Sequence, residues 1–284
     1  MSKIKLVIPK GRMFNEVARL LTDCGILPEA DDRIYIPRLE DLEVEAKIMK
    51  PQNIAQLIEL GSHDAGFIGY DWILETGCDV VELMDLKVDP VKIVAAIPSS
   101  ADLDEFRRRR ILVASEYENI ARKFLNREGY EYLFIRSYGA TEAFPPRDAD
   151  MIIDNTATGK TLRNHDLKVI ATIMESSTRF VANLAALKDS FKKGKIEGLT
   201  MLLAAVLNAR ERVMLEMNVP PDKMEDIVRV LPCMRAPTVS PLYKDMGYAV
   251  KVAVKRNESL RLIPLLKSMG ATDILEYEFK KVII

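Results

Sequence analysis

The residues best suited to chemistry lie in the run Met151-Ile152-Ile153-Asp154-Asn155-Thr156-Ala157-Thr158-Gly159-Lys160-Thr161-Leu162. An apolar strand ends in a carboxylate, and a small, hydroxyl-rich loop then runs into a helix start. Backbone N–H groups at such a start, with the hydroxyls of Thr156, Thr158 and Thr161, can surround the oxygens of a phosphate monoester. Gly159 lets the backbone approach closely or take positive φ. Asp154 would reach adjacent sugar hydroxyls or a bound Mg²⁺. Gly159-Lys160-Thr161 also reads as the end of a Walker A loop. That motif needs a glycine five positions earlier, where Asp154 stands. The composition equally suits a Thr-rich turn that caps a helix.

The elements that must position this run alternate short apolar stretches with amphipathic helical patterns, the mark of α/β architecture. Ile4 to Ile8 reads as a strand closed by Pro9-Lys10-Gly11, and Phe14, Val17, Ala18 and Leu21 follow at helical spacing up to Gly25. A helix is expected after Pro51, with Gly61 as its stop. Strands are expected at Ala65 to Ile68, Val91 to Ile97, Ile111 to Ala114, Tyr132 to Ile135, Met151 to Ile153 and Leu167 to Ile173. Helices are expected at Glu116 to Glu128 and Leu199 to Glu211. After a boundary near residue 212 the rhythm changes to βαββαβ, the ferredoxin-like split unit. Pro264 lies inside its second helix, expected at Ser259 to Met269, where it costs about 3 kcal/mol unless that helix kinks or starts late.

Composition narrows the function. Lys and Arg number 41 against 42 Asp and Glu, so no bulk field favours nucleic acid or a lipid surface. No apolar run approaches a membrane span and no signal-peptide core stands at the start, which reads as a soluble cytoplasmic protein. Cys24, Cys78 and Cys233 are widely spaced, and His63 and His165 are the two histidines, so neither a disulfide framework nor a zinc cluster is expected. Arg107 to Arg110 follow Asp102, Asp104 and Glu105, a charge order that complements a helix dipole rather than marking a nucleic-acid patch.

The order carboxylate, then Thr158-Gly159-Lys160-Thr161, after a strand resembles the loop with which phosphoribosyltransferases hold phosphoribosyl pyrophosphate (PRPP). Gly139-Ala140-Thr141-Glu142, Ala149-Asp150 and Asp154 through Leu162 together are similar to the signature region of the ATP phosphoribosyltransferase family, which opens histidine biosynthesis. Pro9-Lys10-Gly11-Arg12, Asp64-Ala65-Gly66 through Tyr70-Asp71, Ser115-Glu116-Tyr117 through Phe124-Leu125, and Ala236 through Leu242 also match. The last of these resembles the long form, with its own regulatory domain. Lys50, Asn53 and Ala55 stand where the family usually has Arg, Asp and Pro, and Ile68 where it has Thr.

The resemblance implies a bilobed α/β body like the type II periplasmic binding proteins. Lobe I would be residues 1–94 with 180–212, lobe II residues 95–179, and a ferredoxin-like regulatory domain residues 213–284. The implied reaction joins N1 of the adenine of ATP to C1 of the PRPP ribose and releases pyrophosphate, with Mg²⁺ as cofactor. Asp154 would bind the ribose and Mg²⁺, and Thr156, Ala157, Thr158, Gly159, Lys160 and Thr161 the 5′-phosphate. Lys10, Gly11, Arg12, Glu116, Tyr117 and Glu142 would serve ATP and pyrophosphate, with Arg12 able to clamp an anion bidentately. Glu116 also reads as a helix-capping carboxylate, and Glu142 as a surface one. Histidine as feedback inhibitor would sit near Thr238 and Ser240, with Asn218 as a further candidate, in a homo-oligomer (dimer or hexamer). The rival is a non-catalytic solute-binding or regulatory protein on the same bilobed scaffold.

Overall fold

Ile4–Pro9 (β1) is apolar on both faces, with Leu6, Val7 and Ile8 fully buried, as a strand inside a parallel sheet must be. In the computed structural model, which describes residues 3–26, 34–41, 43–232, 234 and 236–284, it begins the first of three sheets. Helix α1 (Arg12–Cys24) buries Phe14, Val17, Ala18 and Leu21, and Gly25 closes it in the left-handed region at φ 84°. β2 (Val44–Met49), α2 (Pro51–Glu59), β3 (Ala65–Gly69), α3 (Tyr70–Thr76) and β4 (Val81–Asp85) follow. The second sheet is built from β5 (Val91–Pro98), α4 (Leu103–Phe106), β6 (Ile111–Ser115), α5 (Glu118–Glu128) and β7 (Tyr132–Arg136), then β8 (Met151–Thr156), α6 (Lys160–Asn164) and β9 (Leu167–Ser176). β10 (Thr178–Ala182) returns the chain to the first sheet.

The two sheets repeat one plan, with strand orders β2-β1-β3-β10-β4 and β7-β6-β8-β5-β9. In each, three parallel strands adjoin one that runs against them, β10 beside β3 and β5 beside β8. The chain crosses between sheets after Asp85 and again at Ser177. Val7, Ile54 and Ile58 of the first sheet's layer share one core with Ile93, Val113, Phe124 and Ile153 of the second. In sheets of this kind ligands gather beyond the carboxyl ends of the parallel strands. Here those ends lead into Lys10, Glu116 and Asp154.

Contacts divide the chain into two compact units, residues 1–197 and 198–284, and the division falls within α7 (Ser190–Arg210). The second unit carries β11 (Arg212–Val219), α8 (Met224–Val230), β12 (Thr238–Pro241), β13 (Tyr248–Lys255), α9 (Arg256–Ser268) and β14 (Thr272–Glu278). Its antiparallel order β12-β13-β11-β14 is the ferredoxin-like arrangement, over a core of Leu215, Met217, Ile227, Val252 and Leu266. The fold class is thus a bilobed α/β body, two sheets of one plan, followed by a βαββαβ unit.

Several expected bounds move. α5 begins at Glu118 rather than Glu116, and α7 nine residues earlier than expected. β8 continues past Asp154 because Asp154, Asn155 and Thr156 stay paired with Val94, Ile93 and Lys92 of β5. α9 starts at Arg256, so Pro264 is truly interior. The carbonyl it leaves without a partner belongs to Leu260, which is 79% exposed and so lies where water can serve it. Neither Cys24 nor Cys78 is in a disulfide, and Cys233 lies outside the described residues. Among the described residues no helix is long and apolar enough to cross a membrane.

Candidate functional site

Asp154 is placed by the strand pairing on either side of it. Ser115, at the end of β6, donates its hydroxyl to the Ile153 carbonyl at 2.6 Å and accepts the Tyr117 N–H at 2.9 Å, which locks the ends of β6 and β8 together. The Asn155 N–H donates to Asp154 Oδ1 at 2.7 Å. Burial pushes the Asp154 carboxyl up to about 7, against the Asn155 N–H, and the nearby charges of Glu116 and Glu142 push in the same direction as burial. The Thr141 hydroxyl also favours the charged form. Three stretches distant in sequence, Ser115 to Tyr117, Gly139 to Glu142 and Asp154 onward, therefore meet at one carboxylate. Among the described residues no group of three or more His, Cys, Asp or Glu forms a cation cage.

The loop after Asp154 is folded by its own hydroxyls. Thr156 Oγ1 accepts the Gly159 N–H at 3.0 Å, and Thr158 Oγ1 the Lys160 N–H at 3.4 Å. Gly159 takes φ 71°, and Leu162 anchors the short α6 in the core. Ala157, Thr158, Lys160 and Thr161 face solvent. A Cβ on Gly159 would stand 2.9 Å from Arg163 Nη1, a side-chain end that can swing aside, so backbone strain decides the cost. Gly159→Ala is expected to destabilise the loop by about 1 kcal/mol, read as a severalfold weaker affinity for a phosphorylated ligand in calorimetry, with little change in the melting temperature.

Tyr117 turns inward. It is 1% exposed, stacks on Trp72 with ring centroids 4.8 Å apart, and donates its hydroxyl to Asp71 Oδ2 at 2.7 Å. Trp72, carried by α3 in the first sheet's layer, thus packs across the junction. Glu116 accepts the Gln52 amide at 3.0 Å, and the capping role expected of it falls instead to Glu75. The buried Glu75 carboxylate, carried by α3, accepts the N–H groups of Asn119 and Ile120, both at 3.0 Å, at the start of α5. Sequence reasoning passed over Glu75 and the partnership of Asp71 with Tyr117.

A cleft of about 580 Å³ opens between the two sheets, lined by Lys10, Gly11, Lys50, Gln52, Trp72, Glu116, Arg136 and Tyr138. Its three cations against one carboxylate suit a polyphosphate. The Lys10 ammonium sits 4.7 Å from the centre of the Tyr35 ring. Arg12, by contrast, is engaged: its guanidinium pairs with Asp89, on the link between β4 and β5. Burial raises the Asp89 carboxyl while Arg12 draws it down. Glu142 sits in a short 3₁₀ turn, Thr141–Ala143, half-buried. In the second unit, Asn218 stands opposite Ala249 and Ala249 opposite Ser240, so the three share one face of the sheet. Thr238, two residues before Ser240, lies on that face too.

The chain is similar to known proteins over nearly all of its length. Residues 50–205 match the family model described as ATP phosphoribosyltransferase, and residues 209–281 the one described as HisG, C-terminal domain. The ATP phosphoribosyltransferases of Chlorobium phaeobacteroides and Desulforudis audaxviator are each 38% identical to this chain, over 99% of it and over 97% and 99% of their own lengths. The chain from the Thermotoga maritima ATP phosphoribosyl transferase (HisG:HisZ) complex has the same fold, with a TM-score of 0.61 and 24% identity over 70% of this chain and 98% of that one. The chain belongs to the ATP phosphoribosyltransferase family, in its long form, and is an enzyme of the first step of histidine biosynthesis.

Proposed function

We propose that the two lobes transfer the phosphoribosyl group of PRPP to N1 of the adenine of ATP, with Asp154 and its loop as the PRPP site. The observation that supports this best is the meeting of Asp154, Glu116 and Glu142 beside a loop already ordered by Thr156 and Thr158. The bond from ribose C1 to the pyrophosphate oxygen breaks as the N1–C1 bond forms. Pyrophosphate takes the bonding pair, and positive charge builds on the ribose ring. Such a displacement needs position and field more than a strong nucleophile. Asp154 binds the ribose hydroxyls and faces the developing charge. Residues Thr156 to Thr161 hold the 5′-phosphate. Lys10 and Gly11 line the polyphosphate cleft, Glu116 and Glu142 orient the substrates around Asp154, and Arg12 steadies the inter-sheet link through Asp89.

Mg²⁺ suits this spot. The carboxylates around Asp154 repel one another, and a divalent cation would relieve that repulsion. Asp154 would hold the ion, which when bound would supply positive charge toward the pyrophosphate. The reading is tested by mixing the protein with ATP, PRPP and Mg²⁺ and following the product's ultraviolet absorbance. No turnover, even with pyrophosphatase present, would defeat it.

The second unit, taken as residues 213–284, is the regulatory domain, and histidine binds on the face shared by Asn218, Thr238 and Ser240. Asn218 Nδ2 donates to Asp273 Oδ2 at 2.9 Å, which fixes its carbonyl outward as an acceptor for an ammonium. Asn218→Ala is expected to weaken histidine binding about fivefold, by calorimetry, with kcat in its absence unchanged. Equal histidine affinity in the two proteins would remove Asn218 from the site. The edge strands β12 and β14 of this unit favour a homo-oligomer in the cytoplasm, read by sedimentation with and without histidine.

A further inference from the structure

We propose that Asp71, Tyr117 and Asn155 form a buried positioning relay that fixes the orientation of Asp154 from inside the lobe junction. The inference rests on the reading of Asp154 as the ribose-binding carboxylate. Asp71 is 4% exposed, and its two oxygens accept hydroxyls from opposite sides: Tyr117 at 2.7 Å on Oδ2 and Ser176 at 2.6 Å on Oδ1. The Asp71 N–H in turn donates to Ser176 Oγ at 3.0 Å. Ser176 ends β9, just before the chain crosses back to the first sheet, so Asp71 is tied to the crossing as well as to the second lobe.

The direction of the chain of bonds follows from what each group can do. Asp71 accepts at both oxygens, so the Tyr117 hydroxyl must donate to it, and burial together with the Asp71 charge keeps that hydroxyl protonated. The Tyr117 oxygen is left as an acceptor. Asn155 Nδ2 donates to it at 3.1 Å and reaches Asp154 Oδ1 at 3.3 Å. With the amide orientation set by Tyr117, Asn155 can offer Asp154 only N–H, never its carbonyl. Reverse the first bond and the last reverses with it. Gly69 belongs to the device: a Cβ there would lie 2.2 Å from Asp71 Oδ1, so any other residue would evict the carboxylate from its place.

Tyr117 and Asp71 touch no substrate in this scheme. They act through Asn155, and their removal must therefore affect one ligand and not the other. Calorimetry on the full chain reads this, with PRPP and ATP titrated separately into the wild type, Tyr117→Phe, Asp71→Asn and the double variant. Tyr117→Phe keeps the ring on Trp72 and removes only the hydroxyl. Each single change is expected to weaken PRPP binding about fivefold and to leave ATP binding within about twofold. The double variant should be no worse than the poorer single one, since both act through one hydroxyl. Additive losses, equal losses for both ligands, or unchanged PRPP binding would each overturn the relay. Should Asp71→Asn fail to fold, Asn155→Ala takes its place in the cycle. Asp154→Ala run alongside, which removes every hydrogen bond to the ribose, separates the two ideas. Weaker PRPP binding there with an unaffected Tyr117→Phe rejects the relay alone, and unchanged binding there rejects the reading of Asp154 and the relay with it.

Discussion

Asp154→Asn is expected to lower kcat by about a hundredfold at pH 8 while making the protein more stable than the wild type at that pH. The two effects have one origin. Burial and the charges of Glu116 and Glu142 lift the Asp154 carboxyl from 3.8 to about 7. A carboxyl raised in the folded state keeps its proton where the unfolded chain has released it, so its contribution to stability falls as pH climbs from about 4 to about 7 and is level above. The neutral amide escapes that penalty. Denaturant midpoints at matched protein concentration should therefore separate variant from wild type at pH 8 and bring them together near pH 4. Catalysis moves the other way. The amide still bonds ribose hydroxyls but cannot offset positive charge on the ring, so kcat should fall more than PRPP affinity. A variant with kcat within about twofold of the wild type would show that the carboxylate does not face the developing charge. The energetic conflict is the expected signature of a site: charge is held where the resting protein would do without it.

Local features of this chain were legible in the sequence, and contacts across space were not. Gly25 as a helix stop, the continuous apolar run of β1 and the turn chemistry of Thr156 to Gly159 are each decided by neighbours a few residues away. The βαββαβ order was equally plain, because Val250, Val252 and Val254 alternate with exposed partners. β2, α3, β4 and β10 do not stand out in the sequence, because Glu45, Lys47, Asp71, Glu82 and Arg179 interrupt their short apolar runs. The reach of β8 to Thr156 depends on its partner β5, some sixty residues away. Arg12 looked like an open clamp because nothing near it in sequence reveals Asp89, 77 residues on. Tyr117 looked like a cleft residue for the same reason, since Asp71 lies 46 residues before it. The family resemblance named these segments without showing that Arg12, Glu116 and Tyr117 bond to Asp89, Gln52 and Asp71.

Glu75 shows what such hidden contacts contribute to stability, and Glu75→Ala is expected to cost about 2–4 kcal/mol. α5 starts at Glu118, and its N-cap, Tyr117, has no acceptor to spare for the helix, because its side chain is directed at Asp71. The N–H groups of Asn119 and Ile120 would be buried donors without partners. Glu75 supplies one carboxylate oxygen to each from 44 and 45 residues away, and its own carbonyl accepts the Asn119 side-chain amide at 2.7 Å. A carboxylate at a helix N-terminus also meets the positive end of the helix dipole. Alanine leaves both donors orphaned. Glutamine is the sharper probe: it keeps one acceptor but turns an N–H₂ toward the other N–H, so Glu75→Gln should cost about 1–2 kcal/mol despite nearly equal volume. Denaturant unfolding at constant slope reads both, and losses below about 0.5 kcal/mol would mean that the helix start finds water instead. Activity should fall with stability, because this cap is what presses α5, and with it Glu116 and Tyr117, against the first lobe.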